Sequence, residues 1–304
     1  MTKMTAGRAI LDQLARENRR VLSEWRALLL LRRATFDIRQ DARRWSAVPD
    51  AVQDVRPLLS QMEQRGELAP VPKLSHMYEV TVPYARKGEM DEAEVLMEVH
   101  PYAAISHLSA LVFHGLSDDM PLGLTVIVPA YRGGTLPPGT TPEDWEGMSP
   151  VAGRTPPTIL RVPVHWTRVA ADRYFGLREY RPRGYPIRVT TPERALVDGL
   201  LDPQLCGGLD NVLQAWARTR DTLDLDDLIE IVDEFGVAVL RQRVGYVLDR
   251  LDLAHPTVEA WRAGAKRGGS SKLLGSAPYD GACYSERWNL SINAPVAALV
   301  EGMA

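Results

Sequence analysis

The residues of this sequence that could do chemistry are concentrated between positions 39 and 76, and their types are those that contact nucleic acid. Arginine and glutamine form bidentate hydrogen bonds to base edges, whereas serine, lysine and histidine contact bases, phosphate or the minor groove. The candidates are Arg39, Arg43, Arg44, Gln53, Arg56, Ser60, Gln61, Lys73 and His76. We predict that they form an interface with double-stranded DNA. The alternative is an ordinary solvated helical surface.

The distribution of charge favours the same partner. The chain has a formal net charge of −3. Residues 1–87 contain 16 Lys and Arg against 10 Asp and Glu, a balance of +6, while residues 88–304 contain 20 against 29, a balance of −9. A basic N-terminal part suits phosphate, and an acidic remainder suits a basic protein or contact between protomers.

Helices followed by a β-hairpin would position these side chains. Helical spacing of apolar residues predicts helices at residues 8–18, 22–33, 38–45 and 52–65, and Gly66 then provides a C-cap. Strands are predicted at residues 68–71 and 77–82, around a turn near residues 72–76. This order predicts a winged helix-turn-helix over residues 1–88.

In such a module the helix at 52–65 enters the major groove, so Gln53, Arg56, Ser60 and Gln61 would reach base edges or phosphate. The arginines at 39, 43 and 44 lie on the predicted preceding helix, where they would contact phosphate. Lys73 and His76 lie in the predicted wing, where they would contact phosphate or the minor groove.

Pro57 bears on where the helix at 52–65 begins. A proline well inside a helix removes a backbone hydrogen bond and kinks the helix, but it is tolerated in the first turn. We therefore favour a start at Asp54, which makes Gln53 a weaker candidate for reading bases.

The remaining residues, 89–304, predict a larger mixed α+β domain. The overall fold class is therefore predicted to be α/β, and more specifically α+β. Strands are predicted at residues 95–99, 124–128, 159–167, 187–189 and 283–292, and helices at 103–113, 190–201, 209–216, 226–235 and 239–251. The Pro-, Gly- and Thr-rich residues 132–157 predict a loop.

Other chemistry-bearing residues do not assemble into a catalytic set. His107 and His114 are seven residues apart, too far for two metal ligands on one helix, and Ser106 lies in no Gly-x-Ser-x-Gly elbow. The pair Asp224 and Asp226 precedes the Gly-Ser turn at 275–276, which is the reverse of the order in nucleotidyltransferases. We predict no enzyme activity, no metal and no cofactor.

Cysteine content and hydropathy predict a cytoplasmic protein with no membrane partner. Cys206 and Cys283 are too few for a disulfide scaffold, and we expect both to be small buried hydrophobic residues. No apolar stretch approaches the roughly 20 residues that span a bilayer, and the N-terminal residues lack an apolar signal core.

Two segments predict buried helices. The first is HPYAAISHLSALVFHGL at residues 100–116, and the second is TTPERALVDGLL at residues 190–201. In the second, Thr190 or Thr191 would be the N-cap, Pro192 lies in the first turn, and Glu193 is at capping-box spacing from Thr190.

Together with the N-terminal helices and wing, and with Arg287, Trp288 and Asn293 near the end, these segments resemble the AbiEi family of bacterial abortive-infection proteins. The resemblance implies an antitoxin of a type IV toxin–antitoxin system that represses its own promoter at repeated half-sites. It also implies a cognate nucleotidyltransferase-like toxin as the partner of an AbiEi-like C-terminal domain. The helix at 8–18 and the long loop at 132–157 depart from the family pattern.

Two other functions stay open at this point. One is a one-component transcriptional regulator whose C-terminal domain binds a small ligand. The other is a DNA-targeted nuclease or modifying enzyme, although no Glu-x-Lys element or metal-ligand cluster supports it.

Overall fold

The structure is a computed structural model that describes residues 3–82, 90–131 and 135–301. It is a mixed α+β protein, which confirms the predicted fold class. The chain divides into two compact units. The first unit comprises residues 1–103, 128–164 and 179–188, and the second comprises residues 104–127, 165–178 and 189–304. The predicted domain boundary between residues 88 and 89 lies outside the described residues.

The first unit begins with three helices and a small sheet. Its elements are α1 (Ala6–Arg16), β1 (Val21–Ser23), α2 (Glu24–Asp37), α3 (Val52–Gln64), β2 (Leu68–Pro70), β3 (Met77–Val80) and α4 (Glu92–Val99). The three strands form an antiparallel sheet in the order β1-β3-β2, with Leu22 opposite Tyr78 and Ala69 opposite Glu79. Helices α1, α2 and α3 and the β2–β3 hairpin were thus predicted, whereas β1 and α4 were not.

Side-chain caps explain where α1 and α2 begin. Thr5 Oγ1 accepts a hydrogen bond from the backbone N–H of Arg8, and Ser23 Oγ accepts one from Arg26. Capping satisfies backbone donors that have no partner inside the first turn. The predicted helix at 38–45 is wrong, because only a 3₁₀ turn forms there, at Gln40–Ala42. The backbone on either side of Arg43 instead pairs with Met4, through Met4 N–H to Ala42 O and Arg44 N–H to Met4 O.

The start of α3 also differs from our expectation. The helix begins at Val52, with Ala51 as N-cap, so Pro57 lies inside it and leaves the carbonyl of Gln53 without its helical donor. Asp54 stabilises this earlier start, since its carboxylate accepts hydrogen bonds from the backbone N–H groups of Asp50 and Ala51 at 3.0 and 3.1 Å. Gln53 therefore belongs to the helix. Helix α3 ends at Gln64 with Arg65 as C-cap, and Gly66, predicted as the C-cap, follows one residue later with a left-handed φ of +69°.

Helix α2 lies at the centre of the first unit. Its leucines pack with α1 and α3 in one apolar core, formed by residues that include Ile10, Leu14, Leu28, Leu30, Leu59 and Met62. Its other side packs against the predicted loop, where Trp145 contacts Trp25 and Leu29. The described part of that loop, residues 135–157, contains no α-helix or strand, as predicted, but it is packed on α2 rather than free.

A six-stranded sheet has the order β6-β7-β5-β4-β9-β8. These strands are β4 (Ala104–Ile105), β5 (Leu124–Pro129), β6 (Thr158–Ile159), β7 (Val162–Val169), β8 (Leu177–Tyr180) and β9 (Ile187–Thr190). Ile105 pairs with Val126 of β5 and, in parallel, with Val189 of β9. The predicted strand at 95–99 is wrong. Its apolar run is the buried side of α4, and a short apolar run fits a strand or a buried helix equally well.

The helices of the second unit are mostly those predicted. They are α5 (His107–Phe113), α6 (Pro192–Leu201), α7 (Leu209–Arg218), α8 (Leu225–Phe235), α9 (Ala238–Arg250), α10 (Pro256–Ala263) and α11 (Ala298–Glu301). Helix α5 starts later than predicted because β4 takes up residues 104 and 105, and α10 and α11 were not predicted. The predicted strand at 283–292 is instead a hairpin of β10 (Tyr284–Ser285) and β11 (Leu290–Ser291). Cys206 is buried as expected, but Cys283 is exposed.

Thr191, not Thr190, caps α6. Its Oγ1 accepts a hydrogen bond from the backbone N–H of Arg194 at 3.2 Å, which excludes the predicted capping box between Thr190 and Glu193. We expect Thr191→Ala to lower the free energy of unfolding by about 0.5–2 kcal/mol, measured by urea denaturation. Thr190→Val is the matched control, because Thr190 Oγ1 is buried and has no hydrogen-bond partner among the described residues. A larger loss in the control than in Thr191→Ala would contradict this assignment.

Candidate nucleic-acid interface

Helix α3 presents a polar stripe to solvent. Gln53, Ser60, Gln61 and Gln64, which we call the α3 stripe, are all exposed and lie within about 100° of one another at 100° per residue. The opposite side of the helix, with Val55, Leu59 and Met62, is buried. Three of the four stripe residues were predicted, but Gln64 was missed although it continues the same helical spacing.

Arg56 and His76 are brought together by Glu24, the first residue of α2. Arg56 donates from Nε and Nη2 to the two carboxylate oxygens of Glu24, at 3.0 and 3.2 Å. His76 Nδ1 lies 2.7 Å from Glu24 Oε1. The Glu24 side chain is only 7 % exposed, whereas those of Arg56 and His76 are about half exposed at 47 % and 53 %. This cluster connects α3 to the turn of the β2–β3 hairpin.

Two further groups define the electrostatics of this region. Hydrogen bonds from the backbone of Asp50 and Ala51 lower the pKa of Asp54, so this carboxylate stays ionised at the start of α3. Burial, assisted by the charges of Glu24 and Glu63, raises the pKa of Tyr78, so its phenol stays neutral. A negative charge at the N-terminus of α3 matches the positive end of the helix dipole.

The turn of the β2–β3 hairpin carries exposed basic groups. Lys73 and His76 are exposed and have left-handed backbone angles, φ +64° and +61°, while Val71 and Leu74 anchor the turn in the interior. Arg154 Nη1 donates to Ser75 Oγ at 3.0 Å, and Arg154 is itself exposed. Arg154 therefore adds a cation to the turn. No sequence signal could have found it, because 79 residues separate it from Ser75.

Arg39, Arg43 and Arg44 occupy a separate segment next to the N-terminus of α1. Arg39 pairs with Asp41 at 3.0 Å, and the guanidinium of Arg43 lies 5.6 Å from the Trp45 ring centroid. Arg44 is exposed, and its backbone is bonded to Met4. The structure thus places these arginines on an irregular connection of residues 38–51 rather than on a helix. This connection is long compared with the turn of a helix-turn-helix, which is typically 3–4 residues.

A buried ionic network holds helix α2 in place within the first unit. The carboxylate of Glu98 on α4 is fully buried and accepts hydrogen bonds from Arg26, from Arg19 at 3.1 Å and from Ser23 at 2.8 Å. On the other side of α2, Arg33 makes a bidentate pair with Asp144 at 2.6 and 2.7 Å. Since breaking a buried pair strands a charge, these contacts fix the position of α2 firmly.

In the second unit, the residues that carry the family resemblance have structural roles. Arg194 is buried with its guanidinium carbon 4.6 Å from the Phe175 ring centroid and 4.4 Å from that of Phe235, and it pairs with Asp198 at 2.8 Å. Trp288 donates to Asp249 at 2.6 Å. Asn293 binds the backbone of residues 274–278 through four hydrogen bonds. These contacts tie Arg194, Trp288 and Asn293 to neighbouring parts of the second unit.

His107 and His114 are also packed within this unit. Ser106 Oγ lies 2.8 Å from His107 Nδ1, and His114 Nε2 lies 2.7 Å from the carbonyl oxygen of Thr190. Burial lowers the pKa of both histidines, which favours the neutral form. Among residues 3–82, 90–131 and 135–301, no group of three or more His, Cys, Asp or Glu could hold a metal ion. In the same residues, no helix combines the length and apolar character needed to cross a bilayer.

These features define a mixed α+β protein whose first unit includes helices α1 to α4, a three-stranded sheet and an exposed polar helix face. No protein-family model and no curated protein matches the chain. The fold is similar to that in the crystal structure of the RV2827C protein from Mycobacterium tuberculosis, with a TM-score of 0.51 and 15 % sequence identity. The likeness covers 98 % of this chain and 94 % of that one, and it concerns the fold alone.

Proposed function

We propose that this protein is a non-enzymatic DNA-binding antitoxin that represses its own promoter and counteracts a cognate nucleotidyltransferase-like toxin in the cytoplasm. The observation that carries the proposal is the exposed polar face of α3 beside a basic hairpin turn. A helix of this size fits the major groove, and a hairpin turn beside it would contact the adjacent backbone. The order α1, β1, α2, α3, β2, β3 supports a winged helix-turn-helix.

The toxin partner is proposed from the resemblance to the AbiEi family and is supported by charge. The first unit has 22 Lys and Arg against 19 Asp and Glu, whereas the second has 14 against 20. A net charge of −6 on the second unit disfavours contact with phosphate and favours a basic protein.

An electrophoretic mobility shift of the full-length protein on its own upstream DNA tests the first half of the proposal. We expect a discrete complex on upstream DNA at protein concentrations that leave a scrambled duplex of equal length unbound. The second half is tested by growth under induced expression of a nucleotidyltransferase-like reading frame encoded next to this gene. The absence of such a neighbour would favour the ligand-responsive regulator instead.

Lys73 and Arg154 are expected to contact phosphate rather than bases. Each single change, Lys73→Ala or Arg154→Ala, should weaken binding to upstream and scrambled DNA by similar factors, because phosphate contacts carry no sequence information. Fluorescence anisotropy on both duplexes measures this. Lys272→Ala in the second unit is a control that should leave both affinities unchanged. A loss confined to upstream DNA would show that the hairpin turn reads bases.

Repression and protection should be separable. We expect Arg43→Ala/Arg44→Ala to lower promoter repression at least several-fold, since two phosphate contacts are lost, while cells still survive the toxin. A promoter–reporter assay and growth under induced toxin, run on the same strain, give the two readings. Loss of both functions in a folded and expressed variant would mean that neutralisation depends on DNA binding.

A further inference from the structure

Arg56 is the residue of α3 best suited by type to recognise guanine, yet its contacts give it another role. Its Nε and Nη2 donors form a fork with the two oxygens of Glu24, and a fork of this kind would also bind O6 and N7 of guanine. Moving Arg56 to a base would leave the buried carboxylate of Glu24 with His76 as its remaining partner. Because an underpaired buried carboxylate is costly, Arg56 is held in place.

The side chains of the α3 stripe, unlike that of Arg56, are not held by an ion pair. Its four side chains are neutral and exposed, and none of them makes a side-chain hydrogen bond to another described residue. They also stand on a helix whose buried side, Val55, Leu59 and Met62, is fully enclosed by the core. The amide groups of the glutamines are therefore free to bind a ligand from a rigid support.

The chemistry of glutamine identifies that ligand. A carboxamide offers one donor and one acceptor side by side, which matches N7 and the N6 amino group of adenine in the major groove. Gln53 and Gln64 are eleven residues apart, a distance of about 16 Å along the helix, or about four to five base pairs of B-form DNA.

We propose that the α3 stripe reads adenines in the major groove of a short A·T-containing half-site, and that Arg56 is a positioning residue that joins α3 to the hairpin turn through Glu24. This inference rests on the proposed function, since it requires that α3 faces duplex DNA. It specifies which bases are recognised and which residues recognise them.

Selection of binding sequences from a random duplex library by the full-length protein tests the proposal. We expect adenine to be enriched at two or more neighbouring positions. Gln61→Ala and Gln64→Ala should each relax the preference at one position, lowering discrimination there by about 5- to 150-fold. The matched control is Gln204→Ala, an exposed glutamine of the second unit, which should leave the selected sequence unchanged.

Arg56→Ala and Glu24→Gln separate positioning from reading. Each should lower the affinity for selected and scrambled duplexes by the same factor, and the double variant should lose little more, because the two side chains act as one pair. Circular dichroism should show all variants folded at the temperature of measurement, so a change in affinity is not a loss of fold.

Two results would overturn the inference in distinguishable ways. A guanine-dominated sequence whose preference disappears in Arg56→Ala would overturn the adenine reading while leaving the proposed DNA binding intact. Failure of the wild-type protein to bind any duplex at low salt would overturn the proposed function and the inference together.

Discussion

Raising the salt concentration from roughly 50 to 200 mM is expected to weaken binding of the full-length protein to duplex DNA by about 1000-fold. Five or six phosphate contacts would give a slope of about −5 for log affinity against log salt. The cations available for them include Arg39, Arg43, Arg44, Arg65, Lys73 and Arg154, all of which are exposed or partly exposed. Anisotropy titrations at several KCl concentrations measure this slope.

The slope itself can be checked residue by residue. Each of Lys73→Ala and Arg44→Ala should reduce its magnitude by about 1, while Gln61→Ala should leave it unchanged because a neutral side chain releases no counterion. A wild-type slope near zero would show that the basic residues of the first unit form only a solvated surface.

Replacing Glu98 by alanine is expected to lower the free energy of unfolding by about 3–5 kcal/mol, the cost of breaking a buried ion pair. Glu98 is fully buried and accepts hydrogen bonds from two arginines and a serine. Burial lowers the pKa of Arg26 and the charge of Glu98 raises it, so removing Glu98 leaves the Arg26 guanidinium buried without its counter-charge.

Urea denaturation followed by circular dichroism and tryptophan fluorescence measures this loss. Glu63→Ala on the exposed side of α3 is the matched control and should change stability by no more than about 0.5 kcal/mol. Glu98→Gln keeps the shape and one acceptor, so its effect should lie between the two. Equal small effects for Glu98→Ala and Glu63→Ala would contradict the structural role of the network.

The same network makes the first unit dependent on residues beyond position 87. A fragment ending near residue 87 would retain Arg19, Arg20 and Arg26 but lose Glu94 and Glu98, which accept their hydrogen bonds. It would also lose the residues of the loop that cover Arg32 and Arg33. The first unit is therefore built from distant parts of the chain.

The sequence predicted those elements whose limits are set by local signals. Gly66 follows the end of α3 and Thr191 caps α6, because caps and left-handed glycines act within one turn of the backbone. Eight of the nine predicted contact residues are exposed and Arg43 is partly exposed, so their types and spacing identified solvent-facing polar positions. Whether that surface binds DNA stays a prediction.

Tertiary structure decided the rest. Residues 38–45 have a helical pattern, but their backbone pairs with that of Met4. Residues 95–99 have an apolar run that fits a strand, but they belong to the buried helix α4, because a short apolar run does not distinguish the two. The joining of Arg56 to Glu24 and of Arg154 to Ser75 spans 32 and 79 residues. Local periodicity carries no information about such partners. The sequence by itself thus determined the exposed positions predicted on α3, whereas long-range packing determined that Arg56 is paired with Glu24.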